Sequence, residues 1–384
     1  MALALVNGRI LNPTPGAVQP WLTGMAVVIE SGRISALTPV AKLPADVKKT
    51  VDLGGLTLLP GFIDTQVNGG GGVLFNDAPN VDTLVKLADA HRQFGTTAML
   101  PTLISDDLEV MAAAISAVDT AIEHGAPGII GIHLEGPFLN PDRRGVHNAD
   151  KFRVIDEQAF QLLCSLRHGK TLVTLAPEKT TADMITRLVL EGVVVAAGHT
   201  AADYQQTRAA LAAGVSSFTH LFNAMTPMTS REPGVVGAAL EDRNSWCGLI
   251  VDGHHVHPVT LKNAIAAKQP GRCILVTDAM PSVGSTEKSF RLNGETISAS
   301  DGRCATASGT LAGSDLDMIS AVRNTVKMLG LPLEEAARMA SLYPAQMLGI
   351  DEDYGAIAPG CMADLIAVDH RLSIQQIWIN GITL

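Results

Sequence analysis

Gly131-Ile132-His133-Leu134-Glu135-Gly136-Pro137 is a short apolar run that ends in a carboxylate and then turns. A carboxylate at the end of a buried strand costs free energy unless it is paired, binds a metal or does chemistry. The pattern recurs along the chain. Short apolar runs predict strands at 58–63, 97–102, 129–134, 172–176, 193–197, 217–220, 247–252 and 274–277. Alanine-rich amphipathic stretches at 81–94, 107–123 and 202–213 fall between them and read as helices. Eight strand–helix alternations predict an α/β fold, a closed (β/α)8 TIM barrel. The structural alternative, an open doubly wound sheet, normally uses about five or six strands. The polar residues favour the barrel. Asp64 and Gln66, Glu135, Glu178, His199, His220, Asp252 with His254 and His255, and Asp278 all stand at or just past a predicted strand end. Barrel enzymes build their sites on that C-terminal rim.

The two ends have another texture. Residues 1–55 hold short alternating strands such as Ala26-Val27-Val28-Ile29, broken at Asn7-Gly8 and Ser31-Gly32. Residues 353–384 repeat it, with Asp364-Leu365-Ile366-Ala367-Val368 and a turn at Asn380-Gly381. Asn-Gly between apolar strands signals a tight turn. These segments predict one small β-sandwich domain, 1–55 with 353–384, attached to a barrel over 56–352. Residues 285–310 carry two further turn signals, Asn293-Gly294 and Asp301-Gly302, and read as a small β-meander over the rim. A lid and an ordinary decorated loop both fit it.

The 384 residues allow a barrel of about 250 residues and a smaller companion. A hydrophobic content of 47% indicates a large core. A net charge of -10 argues against a nucleic-acid partner, which needs a basic face, but permits a small phosphorylated ligand. Five scattered cysteines without a C-x-x-C pair predict free thiols in a reducing compartment. The first residues lack a basic start and a cleavage signature, and no apolar run approaches the ~18 residues of a membrane span. The expectation is a cytoplasmic protein without a membrane partner.

A catalytic zinc-type site needs about three protein ligands and an open position. Glu135, His199 in Ala197-Gly198-His199-Thr200 and His220 in Phe218-Thr219-His220-Leu221 supply two imidazoles and one carboxylate from rim positions. That set leaves the ion with net positive charge. His133 faces the barrel interior, as a partner orienting Glu135 or as a satisfied core histidine. Asp278 ends Ile274-Leu275-Val276-Thr277-Asp278 and reads as a proton-transfer group or as a cap. His254 and His255 are adjacent and point apart, so phosphate or hydroxyl contacts suit Asp252-Gly253-His254-His255 better than a metal cluster. Arg231 suits a charge-assisted phosphate grip, or an ion pair with Glu232 or Glu241. Asn223-Ala224 and the 309–314 segment offer backbone donors.

At these residues the chain resembles the N-acetylglucosamine-6-phosphate deacetylases of the amidohydrolase superfamily. The similarity runs over nearly the whole length. Its carriers are 60–69, His133-Leu134-Glu135-Gly136-Pro137, Gly145-Val146-His147-Asn148, Leu175 to Glu178, Gly198-His199, 219–225, Arg231-Glu232-Pro233-Gly234, 252–256 and 276–279. The resemblance implies the barrel with its small β-domain, and hydrolysis of a 2-acetamido group on a sugar 6-phosphate. It implies one divalent cation per subunit on Glu135, His199 and His220, zinc first, with Fe(II), Co(II) or Mn(II) as candidates. It implies Asp278 as acid–base residue and His147 beside the acetamido group. Arg231 and His255 match phosphate contacts; the resemblance implies a homodimer, in which some of these contacts, Arg231 among them, can come from the neighbouring subunit. Val146, Asn223, Ala224, Leu311, Ala312 and Gly313 match substrate-lining positions. Many superfamily members carry His-x-His after the first strand and hold a second metal there. Here the segment is Gln66-Val67-Asn68, whose amides are weak ligands, so the second site is expected to be vestigial.

Three rivals remain at this level. The same chemistry on N-acetylgalactosamine 6-phosphate differs at one hydroxyl. A cyclic-amide hydrolase normally brings the His-x-His pair, which this chain lacks. A catalytically inactive barrel serving as sensor or assembly protein normally loses ligands or the final aspartate, and this chain keeps all four.

Overall fold

The computed structural model describes residues 2–45 and 47–384. Its centre is an eight-stranded parallel sheet in chain order. The strands are Phe62–Val67, Thr96–Ile104, Gly131–Glu135, Lys170–Leu175, Val194–Ala197, Ser217–Phe218, Trp246–Leu249 and Cys273–Leu275. A helix follows each of the first seven, and the last is followed by a small sheet and then Met318–Leu329. Five helix starts are capped by sequence-legible residues: Asn80, Asp156, Thr181, Asp203 and Asp317 each accept a first-turn backbone N–H.

The sheet closes on itself through buried polar contacts. Val67 bridges Ala279 in parallel, and Asp278 N–H donates to the Gln66 carbonyl at 3.0 Å. Asp64, fully buried, accepts the Thr277 hydroxyl at 2.5 Å. Burial pushes the Asp64 carboxyl up to about 7, against its hydrogen bonds to Thr277 and Gln66. The closure therefore ties the first strand to the segment that carries Asp278.

The chain ends form two facing sheets. One has six strands, in the order Ile382–Thr383, Ile374–Ile379, Leu365–Val368, Thr57–Pro60, Arg9–Leu11 and Trp21–Leu22. The other has Arg33–Pro39, Met25–Glu30, Leu3–Val6 and Lys49–Asp52. Leu5, Ile10, Val27, Ile34, Leu58, Leu365 and the fully buried Trp378 fill the space between them. The predicted strand 58–63 is corrected here. It breaks at Gly61: Thr57–Pro60 pairs antiparallel with Leu365–Val368 in the terminal sheet, and only Phe62–Val67 belongs to the barrel. The physical reason is space, since a Cβ on Gly61 would lie 2.0 Å from Thr97 Oγ1. We therefore place the division between the small β-domain and the barrel at Gly61, six residues beyond the boundary read from sequence.

The meander after the eighth strand is a four-stranded antiparallel sheet, Ser289–Leu292, Glu295–Ser300, Arg303–Ala305 and Leu311–Ser314. Its turns at Asn293-Gly294 and Asp301-Gly302 have positive φ at both positions, the requirement of a tight hairpin turn. Leu292, Ile297, Cys304 and Ala312 pack it onto Leu74, Ile104 and Met280 of the rim. Asn293 donates to the Val146 carbonyl at 2.7 Å, and His254 Nε2 lies 3.0 Å from the Asp301 carbonyl.

Replacing Gly61 by alanine forces a methyl into Thr97, which is itself buried. The expected cost is about 1–3 kcal/mol of stability, read as a lower midpoint in thermal or urea denaturation.

Candidate active site

Three chain segments leave the barrel rim by an unusual turn. His199, His220 and Asp278 have φ of 47°, 32° and 53°, in the left-handed region that costs non-glycine residues free energy. Neighbouring bonds hold each one there. Asn140 N–H donates to the His199 carbonyl at 3.0 Å, Asn223 N–H to the His220 carbonyl at 3.0 Å, and Ser314 N–H to the Asp278 carbonyl at 2.8 Å. The turns bring the three side chains to the mouth of the barrel, with Glu135 from the end of the third strand.

The ligand atoms of Glu135, His199 and His220 lie within 4.8 Å of one another, and all three residues are buried. Glu135 Oε1 is 3.2 Å from His199 Nε2 and 3.1 Å from His220 Nε2. The two Nε2 atoms are 3.0 Å apart. His199 Nδ1 donates to the Arg143 carbonyl at 2.8 Å, which fixes the ring with Nε2 as the nitrogen aimed at the cluster. Two imidazoles and one carboxylate converging in a buried pocket fit a divalent cation of the zinc class. Burial alone would raise the Glu135 carboxyl, but hydrogen bonds and charge from His199 and His220 hold it well below the usual carboxylate range. Among the described residues this is the one such cluster found.

Asp278 is buried beside it. Burial first, and the Glu135 charge second, push its carboxyl up to about 6. Asn68 Nδ2 donates to its Oδ1 at 2.6 Å, and Gln66 Nε2 to the same oxygen at 3.2 Å. Gln66 also donates to both oxygens of Glu135, at 3.3 and 3.2 Å. The two amides therefore serve as donors to carboxylates on the face where a His-x-His pair would face a metal.

The cavity at the cluster has a volume of about 280 Å³. Val146, His147, Asn223, Ala224, His255, Leu311 and Gly313 line it together with Asn68, Glu135, His199, His220 and Asp278. His147, Leu292 and Thr310 also line an outer cleft of about 600 Å³. His147 is buried and its ring centroid stands 4.4 Å from that of His199. Burial, with the His199 charge next, pushes its imidazole down to about 3, so it is neutral. His255 Nδ1 pairs with Asp252 Oδ2 at 2.6 Å.

Other predicted residues lie elsewhere. Ala312 turns into the core under the meander and does not line the cavity. Arg231 is exposed and outside the cavity, and among the described residues it makes no ion pair. Glu232 accepts Tyr204 and Gly234 N–H instead, and Glu241 accepts the Tyr204 hydroxyl. Glu178 is a clasp beside His199, accepting Asn140 Nδ2, the Thr200 hydroxyl and Ala201 N–H. His133 is a satisfied interior histidine, with its ring nitrogens 2.7 Å from Thr174 Oγ1 and 3.3 Å from Thr102 Oγ1. Burial brings it down to about 4. Sequence reasoning missed Ser105, whose hydroxyl contacts His147 at 2.8 Å. It is the first residue past the second barrel strand, so the rim rule applied to that strand would have found it.

A closed barrel that gathers imidazoles, a ligating carboxylate and an aspartate at its C-terminal rim defines a metal-dependent barrel hydrolase. The chain belongs to the amidohydrolase family, whose profile matches residues 57–383. Within it, a protein of Shewanella sp. (strain ANA-3), N-acetylgalactosamine-6-phosphate deacetylase, is 45% identical over 93% of this chain and 90% of its own length. The N-acetylglucosamine-6-phosphate deacetylase of Haemophilus influenzae is 36% identical over 94% of both chains. A mutant N-acetyl-D-glucosamine-6-phosphate deacetylase of Mycobacterium smegmatis, solved in complex with N-acetyl-D-glucosamine-6-phosphate, superposes with a TM-score of 0.88 at 34% identity, covering 100% of this chain and 98% of that one. Among the described residues no helix is long and apolar enough to cross a membrane.

The crowded nitrogen pair predicts strong linkage between metal and folding. Adding zinc to chelator-stripped protein at about 100 times its dissociation constant stabilises it by about 2.7 kcal/mol, seen as a raised thermal midpoint. His220→Ala removes that rise.

Proposed function

We propose that the protein is a hydrolase that removes acetate from N-acetyl-D-glucosamine 6-phosphate, leaving the 2-amino sugar phosphate. The observation that carries this reading is the convergence of Glu135, His199 and His220 beside a buried Asp278 in a sugar-sized cavity. Family membership supports it, as do the relatives that act on acetylated hexosamine 6-phosphates.

In this reading Glu135, His199 and His220 hold one cation per subunit, zinc by the chemistry of the donor set. When bound, it supplies positive charge that acidifies water and polarises the acetamide carbonyl. Asp278 accepts the proton of the water as a C–O bond forms at the carbonyl carbon. Gln66 and Asn68 keep Oδ1 of Asp278 fixed during that transfer. His147 donates from Nε2 to the carbonyl oxygen as negative charge develops there. Asp278 then passes its proton to the nitrogen as the C–N bond breaks, giving acetate and the amine. His255, oriented by Asp252, grips the phosphate from inside the subunit. Arg231 of a neighbouring subunit in a homodimer completes the grip, which agrees with its exposure and lack of an ion pair among the described residues. Holding the sugar at its phosphate end fixes the carbonyl against the attacking water.

A second reading, the C4 epimer N-acetyl-D-galactosamine 6-phosphate, is favoured by one observation. The relative named for that sugar is 45% identical, against 36% for the one named for the gluco substrate. Parallel acetate-release assays decide between them. The gluco reading predicts the larger kcat/KM on the gluco compound, and the reverse order establishes the epimer.

Asp278→Asn is expected to keep its cation while kcat falls by about 10³-fold or more. Metal analysis and turnover on one preparation check both halves. The pH profile follows from the same group. Asp278 works ionised, so activity declines as pH falls through its pKa. That pKa is raised to about 6 by burial and Glu135 in the metal-free site, and a bound cation lowers it. The acid limb therefore lies at or below pH 6 in the loaded enzyme.

A further inference from the structure

Two groups of one residue meet a single ring nitrogen, and this is the shorter contact of the hydroxyl, whose other acceptor, the Glu135 carbonyl, lies at 3.4 Å. The Ser105 hydroxyl lies 2.8 Å from His147 Nδ1, and the Ser105 backbone N–H points at the same atom from 3.3 Å. A backbone N–H can only donate, so Nδ1 is an acceptor. An imidazole whose Nδ1 accepts keeps its ring proton on Nε2. Ser105 is itself held in place. It is 6% exposed, and Gly136 packs so closely that a Cβ there would stand 2.2 Å from its Oγ.

The consequence reaches the metal cluster. His147 lines the same cavity and its ring lies 4.4 Å from the ring of His199, yet its nitrogens are not in the converging set. A histidine that near is a natural additional ligand, and a catalytic site needs a position left open. A protonated Nε2 offers no lone pair, and Nδ1 is covered by Ser105.

We propose that Ser105 is a positioning residue that locks His147 in the Nε2–H tautomer, so that the ring presents a hydrogen-bond donor to the substrate carbonyl and no ligand atom to the cation. The catalytic half rests on the reading of His147 given under Proposed function. The tautomer half stands on geometry alone.

The test uses the full-length zinc-loaded protein with ¹⁵N-labelled histidine. Two-bond ¹H–¹⁵N spectra distinguish protonated from unprotonated ring nitrogens, and the His147 signals are those missing from His147→Gln. The expected wild-type spectrum has a protonated Nε2 and a bare Nδ1. A protonated Nδ1 in the wild type overturns the proposal without any Ser105 variant. In Ser105→Ala the 2.8 Å hydroxyl contact is lost and only the longer backbone bond, at 3.3 Å, remains, so the signals are expected to move toward a mixture of tautomers; an unchanged spectrum overturns the proposal. Kinetics adds a double-mutant cycle. Ser105→Ala should lower kcat about tenfold with KM near wild type. In the His147→Gln background, whose amide N–H has no tautomer, the same change should alter kcat by less than about twofold. An equal loss in both backgrounds marks a structural role and overturns the proposal. If the wild type releases no acetate but the tautomer shift is seen, the lock stands and the deacetylase reading falls.

Discussion

Two imidazole nitrogens 3.0 Å apart, with a carboxylate oxygen 3.1 and 3.2 Å from them, are the constraint on which the site depends. Both nitrogens cannot aim lone pairs at one buried point without a positive charge between them. The proton on His199 is already committed to the Arg143 carbonyl. A cation resolves the crowding, and the surrounding structure is arranged to keep the crowding in place. His199 and His220 are held in left-handed backbone by bonds from Asn140 and Asn223. Glu178 clasps the chain just after His199 through Thr200 and Ala201. Such strain persists only where neighbours over-determine the conformation.

The same economy explains Gln66 and Asn68. A histidine pair there would add a second cation and a second positive charge near Asp278. The amides instead donate to Asp278 and Glu135, and so stabilise both carboxylates as anions in a site that burial would otherwise neutralise. In the proposed reading one charge is supplied by a metal and the remaining acceptors are satisfied by neutral donors. In that reading Asp278 cycles between its two protonation states without a competing ligand bond.

Much of this was legible in the sequence because the barrel writes its chemistry at strand ends. Glu135, His199, His220 and Asp278 each follow a short apolar run, and the structure brings all four to one cavity. The meander was legible too, since Asn293-Gly294 and Asp301-Gly302 suit positive-φ turns. What escaped was contact across distant strands. Gly61 separates two sheets because Thr97 leaves no room, a fact carried by a residue on the next strand. Ser105 reaches His147 across 42 residues, and Ser carries no chemical flag of its own. Ala312 and Gly313 are neighbours with opposite fates, one in the core and one on the cavity, which backbone twist decides and composition does not.

The most direct test of the account is anomalous diffraction from a crystal grown with zinc and the phosphosugar. The account predicts one strong anomalous peak per subunit, about 2.0–2.3 Å from Glu135, His199 and His220, with none against Gln66 and Asn68. A second peak bound by Asn68 and Asp278, or a peak that includes His147 as a ligand, would contradict it.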